Sequence, residues 1–204
     1  MRQQRFCRDQ MQKTIREAKQ VLRKQVGADV TRMESGERAA ASAQACALLA
    51  AQALWKTAQW VLFFAPLPGE LDVWPLLSEA LSAAKRVALP RFVAETRTYE
   101  PCQILDPSLD VQVGQFGIRE PLRRCAPLPS TRLDLVLVPG VAFDVHGHRL
   151  GRGKGYYDRL LRGLGGTTCG VAFDQQIVGE IPVEPHDVRV NCVLTPTRWI
   201  ELNP

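Results

Sequence analysis

A chain of 204 residues, 46% hydrophobic and 23% charged, has an ordinary globular composition and can bury a core that needs no disulfide or metal staple. The formal net charge of +5 admits nucleic acid, a membrane surface or a small polyanion as partner, and the distribution of the charge must decide. Six cysteines without a Cys-x-x-Cys pair imply reduced, mostly buried thiols in a cytoplasmic protein, and no apolar run supports a secretory leader or approaches the ~20 residues of a membrane span.

Residues 1–13 are polar and aperiodic, which predicts a frayed or helical extension, with Met11 as a plausible alternative start. Helices are predicted over 14–25 and over the Ala-rich 31–56. The first carries the main basic cluster, Arg16 to Lys24, interleaved with Ile15, Val21 and Leu22. No aromatic residue interrupts that cluster, which disfavours a nucleic-acid platform and favours small polyanions. The apolar run Trp60 to Ala65 reads as a buried strand ended by Pro66, Pro68 and Gly69. Asp72 is placed to cap a helix over 73–85, and Arg86 to Pro90 supplies a second strand. A Pro-punctuated region over 91–129 has room for strands near 98–105 and near Phe116. Strands follow at Leu133 to Pro139, at Thr168 to Phe173 and at Asn191 to Thr195, with a helix after Gly155. Apolar strands alternating with helices predict a three-layer α/β/α domain with a mostly parallel, Rossmann-like sheet over residues 14–204, whose ligand lies at the strands' carboxyl ends.

The segment Gly147 to Asp158 concentrates four glycines, three Lys or Arg side chains and a carboxylate in twelve residues between a strand and a helix. Such a loop aims backbone N–H groups at one point, and glycine lets a phosphate approach them. Known phosphate loops do not fit. His148 stands where a Walker A loop needs Gly and Gly155 where it needs Ser or Thr, while Tyr156 occupies the third small position of a dinucleotide fingerprint, which leaves only Asp174 in favour of NAD. Glu70, held in Pro66-Leu-Pro-Gly-Glu70, is a candidate substrate acid. Asp158 and Asp187 are candidates for a hard, oxygen-ligated cation such as Mg²⁺. His146 and His148 lack a third nitrogen or sulfur ligand nearby and read as a solvated turn.

Val138-Pro-Gly-Val-Ala-Phe-Asp144 followed by Arg149-Leu-Gly-Arg-Gly-Lys-Gly-Tyr-Tyr-Asp-Arg159 closely resembles the signature of the 5-formyltetrahydrofolate cyclo-ligase family. Lys19-Gln-Val-Leu-Arg23 resembles that family's N-terminal basic element, Phe116-Gly-Ile-Arg-Glu-Pro121 its mid-chain element, and His186-Asp187 its late acidic position, so the likeness spans residues 14–198. It implies an enzyme that uses ATP and Mg²⁺ to close 5-formyltetrahydrofolate into 5,10-methenyltetrahydrofolate, releasing ADP and phosphate.

By the same resemblance Lys19, Arg23, Gly151, Arg152, Gly153, Lys154, Gly155, Tyr156, Tyr157 and Asp158 bind the nucleotide, with Arg152 and Lys154 nearest the chemistry. Asp158 and Asp187 hold Mg²⁺, while Ala65, Glu70 and Tyr156 meet the folate. Asn191, where the family often has Asp, and Ala65, where it often has a polar residue, depart from the pattern. No nucleic-acid or membrane partner is implied, and a monomer is expected. A sugar-phosphate isomerase on a related fold, or a nucleotide-binding regulator without turnover, are the alternatives. The isomerase would have no need of Lys19, Arg23 and paired carboxylates.

Overall fold

The computed structural model describes residues 2–202. Helix α1 (Arg2–Arg32) is unbroken, so the segment expected as an extension and the first predicted helix form one element. Gly27 fails to end it. Val26 is buried and Val30 packs on the core, so the tertiary contacts on both sides of the glycine outweigh its poor helix propensity. Thr31, expected to open the second helix, instead lies in the last turn of α1 and donates to the Gly27 carbonyl at 2.7 Å. Helix α2 (Ser35–Ala51) starts where the Glu37 carboxylate accepts the N–H of Glu34. Extended Gln52 (ψ 143°) then separates it from the short α3 (Ala53–Thr57), and this break turns Trp55 inward, edge-on to Phe63 at 6.1 Å.

Strand β1 (Trp60–Leu62) is shorter than its apolar run, yet the N–H of Phe63 still bonds the Ala88 carbonyl and Phe63, Phe64 and Ala65 stay buried. Asp72 accepts the N–H of Trp74 at 2.8 Å, serving the first residue of helix α4 (Trp74–Ser82). That helix ends earlier than predicted, because Ala84 in the left-handed region (φ 58°) turns the chain into β2 (Arg86–Val93). Strand β3 (Thr98–Ile104) returns beside it, and β4 (Val111–Val113) pairs with β5 (Arg119–Pro121) around a single 3₁₀ turn at 115–117. Arg91 ties this Pro-punctuated region down by pairing with Glu100 at 2.6 Å and donating to the carbonyls of Leu122 and Cys125.

The rest comprises β6 (Leu135–Pro139), β7 (Ala142–Asp144), β8 (Arg149–Leu150), α5 (Tyr156–Leu161), β9 (Thr167–Val171), β10 (Ile177–Val178), β11 (Cys192–Leu194) and β12 (Trp199–Glu201). The central sheet has seven strands in the order β12-β11-β9-β6-β1-β2-β3. Its five inner strands are parallel, and β3 and β12 run antiparallel at the edges. Strands β7, β8 and β10 form a small second sheet.

Side-chain alternation divides the core. Val61, Phe63, Val87, Leu89, Leu135 and Leu137 pack with α2, α3 and α4 on one face, whereas Leu62, Ala88, Val136 and Val138 pack with Leu160 and Leu161 of α5 on the other. Helix α1 lies against the small sheet through Val26, Ala142, Leu150 and Ile181. Cys46, Cys102, Cys125, Cys169 and Cys192 are buried free thiols, and burial pushes Cys46 up to about 11 and Cys102 up to about 12. No helix among the described residues is long and apolar enough to cross a membrane.

The two histidines of the turn after β7 are organised by Asp144, which is fully buried. Its carboxylate accepts the backbone N–H groups of His146, His148 and Ile181 and lies 2.9 Å from Nδ1 of His148. Burial pushes this carboxyl up, but the His148 ring and the three N–H donors outweigh it and hold the group below the usual carboxylate value. A depressed folded-state pKa contributes stability that is complete above the unfolded value of about 3.9 and is lost as pH falls through the folded one. Asp144→Asn should therefore lower unfolding free energy by about 1.5–3 kcal/mol at pH 7, with the deficit shrinking below about pH 4, as urea titrations at the two pH values would show.

Candidate active site

The parallel strands run β2-β1-β6-β9-β11, so the order reverses between β1 and β6. The chain leaves β1 toward α4 on one face and leaves β6 toward α5 on the other, which opens a crevice at their carboxyl ends. A pocket of about 300 Å³ lies there, bounded by Phe64 and Ala65 after β1, Pro90 in β2, and Pro139 and Gly140 at the end of β6. Tyr99, Tyr156 and Tyr157 form its aromatic wall. The Tyr99 ring stands edge-on to Tyr156 at 6.0 Å and 5.7 Å from Tyr157. Burial, with smaller contributions from Glu120 and Tyr156, pushes the Tyr99 phenol up to about 12, and burial raises Tyr157 as well, so both are un-ionised near neutrality. Glu120 is buried behind this wall, where one oxygen accepts the Phe92 N–H and burial pushes the carboxyl up. Glu70 and Arg152 also line the pocket.

A second, polar cleft of about 650 Å³ adjoins the first. Helix α1 supplies Arg16, Lys19 and Arg23 at i, i+3 and i+7, one helical face. The glycine loop supplies Gly151, Arg152, Gly153 and Gly155, and the segment after β10 supplies Glu184, His186 and Asp187. Gly153 (φ 96°) and Gly155 (φ 65°) adopt conformations that disfavour a Cβ, and Arg23 Nε fixes the loop from α1 by donating to the Gly151 carbonyl at 2.8 Å. Helix α5 is only six residues long. Its dipole is correspondingly small, and the cations of the cleft carry most of the attraction for an anion.

Each carboxylate in the cleft is matched by a cation. Asp158 accepts from Arg149 at 2.9 Å, Asp187 from Lys19 at 2.5 Å and from the N–H of Glu184 at 2.8 Å, and Glu184 from Lys19 at 3.1 Å. Lys19 is 6% exposed, so its ammonium stays buried only because two carboxylates face it. Burial lowers the pKa of the Arg23 guanidinium, with Asp187 and Glu184 opposing. Asp158 and Asp187 border the same cleft, and Glu184, His186 and Asp187 bring one ligand atom each within 4.8 Å. These donors suit a hard divalent cation that competes with the lysine and arginine for them.

The predicted residues thus gather around one loop. Lys19, Arg23, Gly151, Arg152, Gly153, Gly155, Asp158 and Asp187 line the polar cleft, whereas Ala65, Glu70, Lys154, Tyr156 and Tyr157 line the apolar pocket. The loop after β9 lines neither compartment and instead braces the chain just after β6. Gln176 Nε2 donates to the carbonyls of Gly140 and Val141, and Asp174, once the support for NAD, is occupied by Thr195, Thr197 and Arg198. Asn191 is likewise engaged in the sheet, where Oδ1 accepts both the N–H and the hydroxyl of Thr168.

Sequence reasoning missed Arg149, Tyr99 and Glu184. Arg149 lies inside the conspicuous loop motif, and Glu184 lies three residues before Asp187, so both had a positional signal. Tyr99 had none, because only the antiparallel register of β3 on β2 brings it to the pocket. The Arg149 side chain is 4% exposed and borders both compartments, and its guanidinium also donates to the Pro139 carbonyl at 3.3 Å. Arg149→Met should leave Asp158 without its counter-charge and lower stability by about 3 kcal/mol, measured by thermal unfolding, with Arg149→Lys in between.

Comparison with known proteins places the chain in a family. The family model described as the 5-formyltetrahydrofolate cyclo-ligase family matches residues 15–196. The chain is 36% identical over 145 residues to a 5-formyltetrahydrofolate cyclo-ligase of Escherichia coli, covering 69% of this chain and 80% of that one. Against the Mycolicibacterium smegmatis enzyme of the same name it is 45% identical over 134 residues, or 64% of each chain. Among solved structures, the Aquifex aeolicus 5,10-methenyltetrahydrofolate synthetase superposes with a TM-score of 0.82 at 33% identity, covering 91% of this chain and 93% of that one. A Mycoplasma pneumoniae synthetase at 21% identity shares the fold with a TM-score of 0.70, over 87% and 98% of the two chains. With the family model covering nearly the whole chain, the protein belongs to the 5-formyltetrahydrofolate cyclo-ligase family of enzymes.

Proposed function

We propose that the protein converts 5-formyltetrahydrofolate into 5,10-methenyltetrahydrofolate at the expense of ATP, with the pterin in the tyrosine-walled pocket and the triphosphate in the cationic cleft. The observation that carries this reading is that the two compartments share the loop from Gly151 to Gly155, so a reacting group on one ligand lies next to the other. The formyl oxygen is a poor leaving group. Transfer of the terminal phosphoryl group to it makes a good one, N10 then attacks the formyl carbon, and the oxygen departs as part of inorganic phosphate. Such a transfer depends on positioning and on spreading charge over cations rather than on covalent work by the protein.

Lys19, Arg23 and the loop from Gly151 to Asp158 hold the nucleotide, and Arg152 and Lys154 face the developing charge. Glu70 accepts hydrogen bonds from pterin ring N–H groups, the Ala65 backbone borders the ring, and the un-ionised tyrosines stack on it. Asp158 and Asp187 would hold Mg²⁺, which when bound supplies charge neutralisation between phosphate oxygens. The wall of Tyr99, Tyr156 and Tyr157 keeps bulk water away from the formyl carbon.

Incubation with 5-formyltetrahydrofolate and MgATP should produce the methenyl chromophore and ADP in equal amounts, and nucleotide cleavage without the chromophore would contradict the reading. Lys154→Ala should raise KM for ATP and lower kcat together, costing about 1.5–3 kcal/mol in kcat/KM, or roughly ten- to a hundredfold. For the cation, Asp187→Asn should raise the Mg²⁺ concentration needed for half-maximal rate by roughly tenfold; the protein should still fold, with its melting temperature lowered by several degrees because Lys19 keeps one of its two facing carboxylates.

A further inference from the structure

Glu70 lines the tyrosine-walled pocket, Arg152 borders both compartments, and each occupies the other. Oε2 of Glu70 accepts the N–H of Leu67 at 3.0 Å, which fixes the carboxylate in its turn, and Oε1 accepts Nη2 of Arg152 at 2.8 Å. The two sides of the pair differ in freedom. The Glu70 side chain is 15% exposed and held by its turn, whereas that of Arg152 is 63% exposed and rises from a loop with Gly151 before it and Gly153 after it. Arg152 borders both the tyrosine-walled pocket and the cationic cleft. A short swing of its stem thus takes the guanidinium from one compartment to the other.

We propose that this ion pair is a latch that couples the two substrates, an inference that rests on the pterin and nucleotide assignments above. In the latch a ring N–H takes the place of the Arg152 guanidinium on Oε1, the oxygen not engaged by the Leu67 N–H. Folate binding releases the guanidinium at the mouth of the cleft, where phosphoryl oxygens attract it. Nucleotide binding first has to break the same pair. Whichever ligand arrives first spares the second that cost, so each raises the other's affinity, and thermodynamic linkage makes the two factors equal. Before folate arrives, Arg152 is withheld from the transferring phosphoryl group, which suppresses idle ATP hydrolysis.

Calorimetry with 5-formyltetrahydrofolate and a non-hydrolysable MgATP analogue tests this. In the unmodified protein the analogue should bind about two- to fivefold tighter when folate is saturating, and folate should tighten by the same factor when the analogue is saturating. Glu70→Gln should bind the analogue more tightly and lose the coupling. Removing its charge alone would also tighten the analogue, so Arg152→Ala decides. In that variant the Glu70 charge remains, and the latch requires weaker analogue binding, tighter folate binding and no coupling. Arg152 is exposed, so this substitution leaves the fold intact. Two ligands that bind the unmodified protein independently, or coupling that survives Arg152→Ala, would overturn the latch while leaving the assignments standing. Failure of either ligand to bind the unmodified protein would remove the assignments and the latch together.

Discussion

The arrangement of the site depends on the reversal of strand order between β1 and β6. Two adjacent parallel strands that send their chains to opposite faces cannot cover their own carboxyl ends, so a crevice opens there whatever residues fill it. In this protein β1 is followed by Phe64 and Ala65, and β6 closes on Pro139 and Gly140, all without a charged side chain, so the floor of the crevice is apolar. Polar chemistry has to be brought in from the margins. The turn after β1 brings Glu70, the glycine loop brings the arginines, and α1 brings a row of cations from outside the three-layer core.

Much of the architecture was legible in the sequence, for a definite reason. Strands buried on both faces are apolar throughout, so Trp60 to Ala65 and Leu135 to Pro139 stand out against their surroundings. Their alternation with helices specifies a parallel sheet. Elements that failed to announce themselves are short ones whose partners lie far off in sequence. Strands β7, β8 and β10 have three, two and two residues and exist only as a sheet with one another, and β12 is defined by pairing with β11. Helix ends were misplaced where tertiary contacts prevailed over local preference, as when buried Val26 carries α1 past Gly27.

The site shows a similar division. Glycines and cations between a strand and a helix point to phosphate because few other roles need that combination, and the loop holds most of the residues that the resemblance assigned to the nucleotide. The distribution of those residues over two compartments was not legible. Arg149 looked like one cation of the motif among three, yet it is the buried one and pairs with Asp158, while Arg152 reaches across to Glu70. A one-dimensional pattern records which charges are near in sequence. It does not record which carboxylate each cation meets, and here that pairing separates structural charges from those available to a ligand.

All of this makes the loop from Gly151 to Gly155 a shared wall between an aromatic pocket and a cationic cleft, and a structure of the ternary complex with 5-formyltetrahydrofolate and a non-hydrolysable MgATP analogue tests that most directly. The account requires the pterin to lie against Tyr156 with its ring N–H groups on Glu70. It also requires the triphosphate to run between Lys19, Arg23 and the loop, with the terminal phosphate beside Arg152. A pterin found in the cleft lined by α1, or a triphosphate bound away from the loop, would contradict it.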